Sequence, residues 1–220
     1  MSARASVTLK IATSMDGRIA LANGTSQWIT NSQSRARSHQ MRAEHDAVLV
    51  GIGTVLADDP LLTARIVPLP ERQPVRIVAD SRLRTPVTSR LVQSASAGRV
   101  VLAHAASNTS SASVLRDVDH WAVGDGNGRV APAELVRRAR AEGIDSIFLE
   151  GGGTLAASFL REGLVDRICW FRAPIIIGGD GIAAIGPLAL ETMANTSRWT
   201  LAERELISGD SLEIWEPLKD

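Results

Sequence analysis

The sequence predicts an α/β fold with a mostly parallel central sheet, flanking helices and an antiparallel C-terminal hairpin. Three observations carry this expectation. Short β-branched and apolar runs recur along the chain and end in polar or turn residues, as strands buried in a parallel sheet do. Segments rich in helix formers stand between several of them. Towards the C-terminus the pattern changes to alternation over residues 199–206 and 211–215, around the turn residues Ser208-Gly209-Asp210.

Taken in order, residues 7–13 form a first strand closed by the turn dipeptide Asp16-Gly17. Residues 32–44 read as a helix that leads into a buried strand at 47–50, which ends in the glycine turn Gly51-Ile52-Gly53. Residues 75–79 and 100–103 are further strands. Pro132 suits a helical first turn and Gly143 a helical stop, so a helix spans 132–142 and a strand follows at 147–149. The best-marked unit covers 145–177. It consists of a strand, the bend Glu150-Gly151-Gly152-Gly153, a helix at 154–161, a stop at Gly163, and the apolar run 168–177, read as a buried strand. Together these make a right-handed β-α-β crossover. Residues 105–113 read as a mobile surface loop.

The 220 residues suffice for one sizeable core and fall short of two ordinary domains, so residues 1–220 are expected to form one domain. Lys plus Arg and Asp plus Glu number 24 each, so no overall field draws nucleic acid or an anionic membrane to the surface. A single cysteine, Cys169, excludes an intrachain disulfide and a multi-cysteine zinc site, and fits a reducing cytoplasm. No apolar run approaches the ~20 residues of a membrane span, and residues 1–10 lack the apolar centre of a signal peptide.

The triglycine bend is the most informative chemical feature. Glycines at a strand-to-helix junction let backbone N–H groups approach a ligand, and the helix N-terminus beyond favours negative charge. This is a phosphate or pyrophosphate site, with a plain tight turn as the alternative. Glu150 ends an apolar strand and needs a partner, either a substrate hydroxyl or amine or a neighbouring backbone group. Lys10 lies within the first strand and either snorkels to a solvated face or binds a phosphate or carboxylate. Asp58-Asp59-Pro60 with Thr63 and Arg65 reads as a solvated cap, or as a carboxylate on a polar substrate edge with Arg65 on an anion. Trp28, after Ser26-Gln27, is either a core plug or an aromatic wall beside a flat heterocycle. His39, His45, His104 and His120 show no metal-ligand spacing, no metal site is expected, and no glycine-flanked nucleophilic serine occurs.

Several segments occur together in order: Lys10-Ile-Ala-Thr-Ser-Met-Asp-Gly17, Ser26-Gln-Trp-Ile-Thr30, Met41-Arg-Ala43, Gly51-Ile-Gly-Thr-Val55, Asp58-Asp-Pro-Leu-Leu-Thr-Ala-Arg65, Pro74-Val-Arg-Ile-Val-Ala-Asp-Ser81, Glu150-Gly-Gly152 and Leu164-Val-Asp166. Each is ordinary alone. The ordered set strongly resembles the pyrimidine reductase domain of riboflavin biosynthesis, and the likeness covers nearly the whole chain.

The resemblance implies a dihydrofolate-reductase-like fold and hydride transfer from NADPH to the ribosyl C1′ of a ribosylaminopyrimidine 5′-phosphate, opening the sugar to a ribityl chain. It implies that Lys10, Ser26, Arg42, Leu62, Arg65 and Glu150 line the substrate site, with Lys10 and Glu150 catalytic. It implies that Thr13, Trp28, Thr54, Asp58, Ser81 and the turn at 152–158, led by Gly152, Gly153, Thr154 and Leu155, line the NADPH site. A homodimer is expected on the same ground, with 168–177 and 199–215 as candidate surface. The zinc deaminase signature carried by many bacterial relatives does not occur in this sequence. The resemblance leaves open a deaminated or a diamino pyrimidine as substrate. Two alternatives remain beside it: reduction of another flat heterocycle such as a pterin, and NADPH binding without catalysis.

Overall fold

The computed structural model describes residues 3–105 and 117–218, so the loop expected at 105–113 lies, apart from Ala105, outside the described residues. In chain order the elements are β1 (Ser6–Thr13), β2 (Arg18–Ala20), α1 (Ser32–Ala43), β3 (Ala47–Gly51), α2 (Ile52–Asp58), β4 (Val75–Ala79) and α3 (Arg90–Gln93). They continue with β5 (Val100–His104), β6 (Asp119–Ala122), α4 (Pro132–Ala141), β7 (Ser146–Leu149), α5 (Gly153–Arg161), β8 (Arg167–Arg172), β9 (Ile182–Ala183), β10 (Trp199–Ile207) and β11 (Asp210–Pro217). The main sheet has the order β10-β11-β8-β1-β7-β3-β4-β5-β6, and β2 pairs with β9 apart from it. From β8 to β6 every pairing is parallel. The terminal hairpin adds two antiparallel pairings at one edge. This is the mostly parallel sheet with an antiparallel C-terminal hairpin that the sequence predicts.

Strand alternation sorts the side chains onto two faces. Leu9, Leu49, Ile77, Val101 and Leu149 pack with Leu135 of α4 and Phe159 of α5. Val48, Val50, Val78, Leu102 and Phe148 pack with Met41 of α1, Val55 of α2 and Leu91 of α3. The central strands β3 and β4 are buried on both faces, which explains their continuous apolar runs.

The start of α1 is fixed by the hairpin at the sheet edge. The Asn31 side chain caps the helix by accepting from the Gln33 and Ser34 amides at 2.9 Å. Its Nδ2 donates to the Ile207 carbonyl at 2.7 Å. The buried Asp210 carboxylate accepts from the Asn31 amide at 2.8 Å and from the Ser34 hydroxyl at 2.7 Å.

Two expectations are corrected. The apolar run 168–177 is not one strand. β8 ends at Arg172, Ile176 is 73 % exposed, and Pro174 has no N–H to continue a ladder. The amides of Ile177 and Gly178 donate instead to the Asp16 carboxylate, at 3.1 and 2.7 Å. The Gly51-Ile52-Gly53 segment is not a turn, because Gly51 is an extended N-cap and α2 begins at once. The β7–α5–β8 unit is a crossover between parallel strands, as expected, and it skips one strand, since β1 lies between them. The short elements β2, β9, α3 and β6 are additional to the expected ones. β6 has one buried side chain in four, Trp121, and its neighbours give no alternation to read.

Arg76 is a polar exception within the core. It is 2 % exposed in β4, and its guanidinium donates to the Ser94 hydroxyl at 2.6 Å, to the Ser94 carbonyl at 3.0 Å and to the Gly98 carbonyl. Burial lowers its pKa, and it holds the turn after α3 through carbonyls with no carboxylate among these contacts. Replacing it by methionine keeps the packing volume and strands those acceptors. Arg76→Met is expected to destabilise the fold by about 3 kcal/mol in urea denaturation, and an unchanged midpoint would refute this role.

Candidate active site

The parallel strands β1, β7, β3 and β4 all end on the same edge of the sheet. From β7 the chain runs through α5 to β8 on one side, and from β3 it runs through α2 to β4 on the other. The connections therefore diverge between β7 and β3, which opens a crevice at the carboxyl ends of these two strands. Backbone hydrogen bonds close its floor. The Glu150 amide donates to the Leu49 carbonyl and the Gly51 amide to the Gly151 carbonyl, both at 2.9 Å.

The three glycines of the bend have three different reasons to be glycine. Gly151 has φ +92°, a region that side chains avoid. A Cβ on Gly153 would stand 2.9 Å from the Ala183 carbonyl and 3.1 Å from that of Ala184, so the chain around β9 occupies that space. Gly152 has an ordinary φ of −68°, and the nearest atom to a Cβ there is the Thr54 hydroxyl at 4.0 Å. A Cβ on Gly151 would meet nothing within 4 Å either, so space beside Gly151 and Gly152 is open, and only Gly153 is closed off by the chain. No side chain caps α5, which leaves the first-turn amides of Gly153, Thr154 and Leu155 at a helix N-terminus without a capping partner. Thr54, on α2, faces this bend from across the crevice.

Within the chain, the partner of Glu150 is an arginine and not the neighbouring backbone group offered as one alternative. Both carboxylate oxygens are engaged by Arg42 of α1, Oε1 by Nε and Oε2 by Nη2 at 2.9 Å. The side chains of Arg42 and Glu150 are 14 % and 9 % exposed. Burial acts to raise the Glu150 carboxyl, but the Arg42 charge and hydrogen bonds, aided by Lys10, outweigh it and hold the group below the usual carboxylate range. Arg42 is thus committed to Glu150 and, through Nη1, to the Thr63 carbonyl at 3.0 Å. Its charge is thereby balanced by Glu150 within the chain.

Lys10 does not snorkel to a solvated face. It is partly buried in β1, its ammonium lies 5.9 Å from the Phe171 ring centre, and burial lowers its pKa against the attraction of Glu150. His39, which sequence reasoning did not single out, stands one helical turn before Arg42. Burial, Arg42 and Arg65 depress it to about 4, so it is neutral at pH 7. Its Nδ1 accepts the Arg65 amide at 3.3 Å. The available signal was its spacing from Arg42, which places both on one face of α1.

The segment that carries Arg65 has neither helix nor strand. Leu62 adopts φ +56° with its side chain 2 % exposed in the core, so the side chain offers a ligand nothing polar. Asp59 sits in the left-handed C-cap of α2 and accepts the Arg90 amide at 2.8 Å, whereas Asp58 is exposed. Arg65 itself is exposed, and Arg42 and Arg90 add their repulsion to the burial that lowers its pKa.

Among residues expected at the cofactor, Trp28 is 69 % exposed, which corrects the core-plug alternative, and Arg35 stacks 4.3 Å from its ring centre. Trp28 lines a cleft with Pro174, Ile175 and the start of α1. Thr13 is fully buried, and its hydroxyl accepts the Trp170 indole N–H at 2.8 Å. Ser81, at the end of β4, accepts the Val130 amide through its hydroxyl at 3.0 Å. Ser26 is partly buried in the loop before Trp28. Among the described residues no group of acidic, histidine or cysteine side chains could hold a metal ion.

The family model described as the RibD C-terminal domain matches residues 5–212. The chain belongs to the RibD C-terminal domain family. It is 38 % identical over 210 residues to the riboflavin biosynthesis protein RibD of Actinobacillus pleuropneumoniae, covering 94 % of this chain and 55 % of that protein. It is 36 % identical over 210 residues to the 2,5-diamino-6-ribosylamino-4(3H)-pyrimidinone 5′-phosphate reductase of Methanothermobacter thermautotrophicus, covering 94 % and 95 %. Among solved structures, RibD of Acinetobacter baumannii superposes with a TM-score of 0.84 at 28 % identity, over 99 % of this chain and 59 % of that one. The chain therefore spans about half the length of the RibD proteins it matches.

In this RibD C-terminal domain, acid should weaken the fold through histidine. His39 is held at about 4 when folded and returns to its ordinary 6.5 when unfolded, so the unfolded chain binds protons first. His45 is shifted in the same direction, chiefly by burial. Their contribution is complete above pH 6.5 and declines as pH falls below that value, through about 4 for His39. Urea midpoints between pH 7.5 and 4 should fall less in His39→Asn than in the parent, and equal slopes would contradict the shift.

Proposed function

We propose that this chain is an NADPH-dependent reductase that delivers hydride to C1′ of a ribosylaminopyrimidine 5′-phosphate in riboflavin biosynthesis. The observation that carries the reading is an ionised Glu150 and a lowered-pKa Lys10 beside an uncapped triglycine bend in the crevice. The bend fits a dinucleotide. Gly152 leaves room for close approach, and the amides of Gly153, Thr154 and Leu155 are arranged for a pyrophosphate, with Thr54 alongside. Ser81 and the exposed Arg82 suit the 2′-phosphate of NADPH. When bound, NADPH supplies the hydride.

The chain's own residues then bind, orient and move a proton. Glu150, kept ionised by Arg42, accepts from a ribose hydroxyl through the lone pairs Arg42 leaves free. Lys10 donates a proton to the ring oxygen as the bond from C1′ to that oxygen breaks, and C1′ receives the hydride, so the sugar opens to a ribityl chain with charge balanced. Arg65 meets the 5′-phosphate. A cation placed beside two others is suited to an anion, and this favours a phosphorylated pyrimidine over a pterin. The curated relative named as a phosphate reductase, matched over nearly its full length, supports the same reading.

NADPH oxidation should therefore depend on the phosphorylated substrate and be absent with dihydropterin. Lys10→Met should lower kcat by about 10²-fold or more without loss of thermal stability, because it removes a buried charge. Gly152→Ala should keep the fold and weaken NADPH binding, measured by fluorescence titration. Full turnover in Lys10→Met, or unchanged NADPH affinity in Gly152→Ala, would remove the corresponding role. We also propose a homodimer. The edge strand β10 is exposed along most of its length, including Leu201 and Leu206, as an unpaired edge awaiting a second copy would be. A monomeric mass by light scattering would exclude it.

A further inference from the structure

We infer that His39 is a positioning residue that aims Arg65 at the substrate phosphate. The inference rests on the phosphate role given to Arg65 above. Residues 63–65 have no ladder or helix of their own, yet side chains from elsewhere hold their backbone. Arg42 donates to the Thr63 carbonyl at 3.0 Å. Gln73 clamps Ala64 from both sides, accepting its amide at 2.9 Å and donating to its carbonyl at 3.0 Å. His39 accepts the amide of Arg65 itself at 3.3 Å. The residue before this clamp, Leu62, is left-handed at φ +56°, a conformation that a leucine keeps only when its surroundings enforce it.

Of the three clamps, His39 is the one whose partner is the cation-bearing residue. Helical spacing puts it on the same face of α1 as Arg42, so one helix both neutralises Glu150 and sets the direction of Arg65. Only an unprotonated Nδ1 can accept an amide. The groups that act on His39 are Arg42 on its own helix, Arg65 and the Thr63 backbone across the gap, and Glu150 from the end of β7; the two arginines disfavour its charged form. A neutral acceptor among cations holds the Arg65 backbone without competing for the anion that the Arg65 side chain is to bind.

Ribose 5-phosphate binding by calorimetry, with steady-state kinetics on the phosphorylated pyrimidine, tests this in four variants: His39→Leu, His39→Asn, Arg65→Ala and the His39→Leu/Arg65→Ala double. His39→Leu should weaken ribose 5-phosphate about five- to tenfold and raise KM by a similar factor, with the loss falling on KM and not on kcat. His39→Asn, whose side-chain oxygen can take the place of Nδ1, should recover most of the affinity. In the Arg65→Ala background His39→Leu should add nothing, because the group it aims is gone. Unchanged affinity in His39→Leu, a loss in His39→Asn as large as in His39→Leu, or an equal loss with and without Arg65 overturns the inference. If Arg65→Ala binds ribose 5-phosphate as tightly as the parent, the phosphate role of Arg65 fails first and the inference falls with it.

Discussion

The ion pair between Glu150 and Arg42 is the constraint on which the crevice depends. A carboxylate at the end of a buried strand costs several kcal/mol unless it is paired, and its partner here comes from a helix distant in sequence. Arg42 stands on α1, whose start is fixed where Asn31 and Ser34 meet Asp210 and the Ile207 carbonyl. The hairpin at the edge of the sheet therefore bears on the centre of the site. From Arg42 the chain of contacts continues to the Thr63 carbonyl and so to the segment that ends in Arg65. One guanidinium fixes the charge of Glu150 and the position of the loop facing it.

The glycine bend follows a similar division of labour. Its φ at Gly151 turns the chain, the tight fit at Gly153 seats α5 against the residues around β9, and the open space at Gly152 is left for a ligand. The β9 segment is itself held through Asp16, which binds the Ile177 and Gly178 amides just before it. Thus the loop that leaves β8 early is what packs behind the glycine bend. The early exit forced by Pro174 and the requirement for glycine at 153 are two ends of one arrangement.

Much of this was legible in the sequence where a single segment carries its own cause. The apolar runs of β3, β4 and β7, the stop at Gly163 and the alternating hairpin depend on local pattern, and the structure bears them out with boundaries shifted by a residue or two. Glu150 and the triglycine bend were readable for the same reason. What escaped were features whose cause lies across the fold. Arg42 as the partner of Glu150, 108 residues away, has no local signature. Neither does His39, whose meaning comes from Arg65, nor Gly153, whose neighbour is a carbonyl from β9. Strands such as β6, with one inward side chain, exist because a parallel neighbour offers them a ladder.

The same burial acts on Lys10 and Glu150 and leaves them in different states. Desolvation disfavours the charged form of each. For Glu150 it is overcome, because Arg42 gives it two hydrogen bonds and a full opposite charge at contact distance. For Lys10 it is not, because the carboxylate that could hold its proton is already claimed by Arg42, which also repels it. The crevice thereby sets a fixed anion beside an ammonium that gives up its proton more readily than an exposed lysine does. Two titratable groups driven apart in this way are suited to the different tasks proposed for them, one to hold the sugar and the other to move a proton. Arg42 brings about this separation, because it pairs with one of the two groups and repels the other.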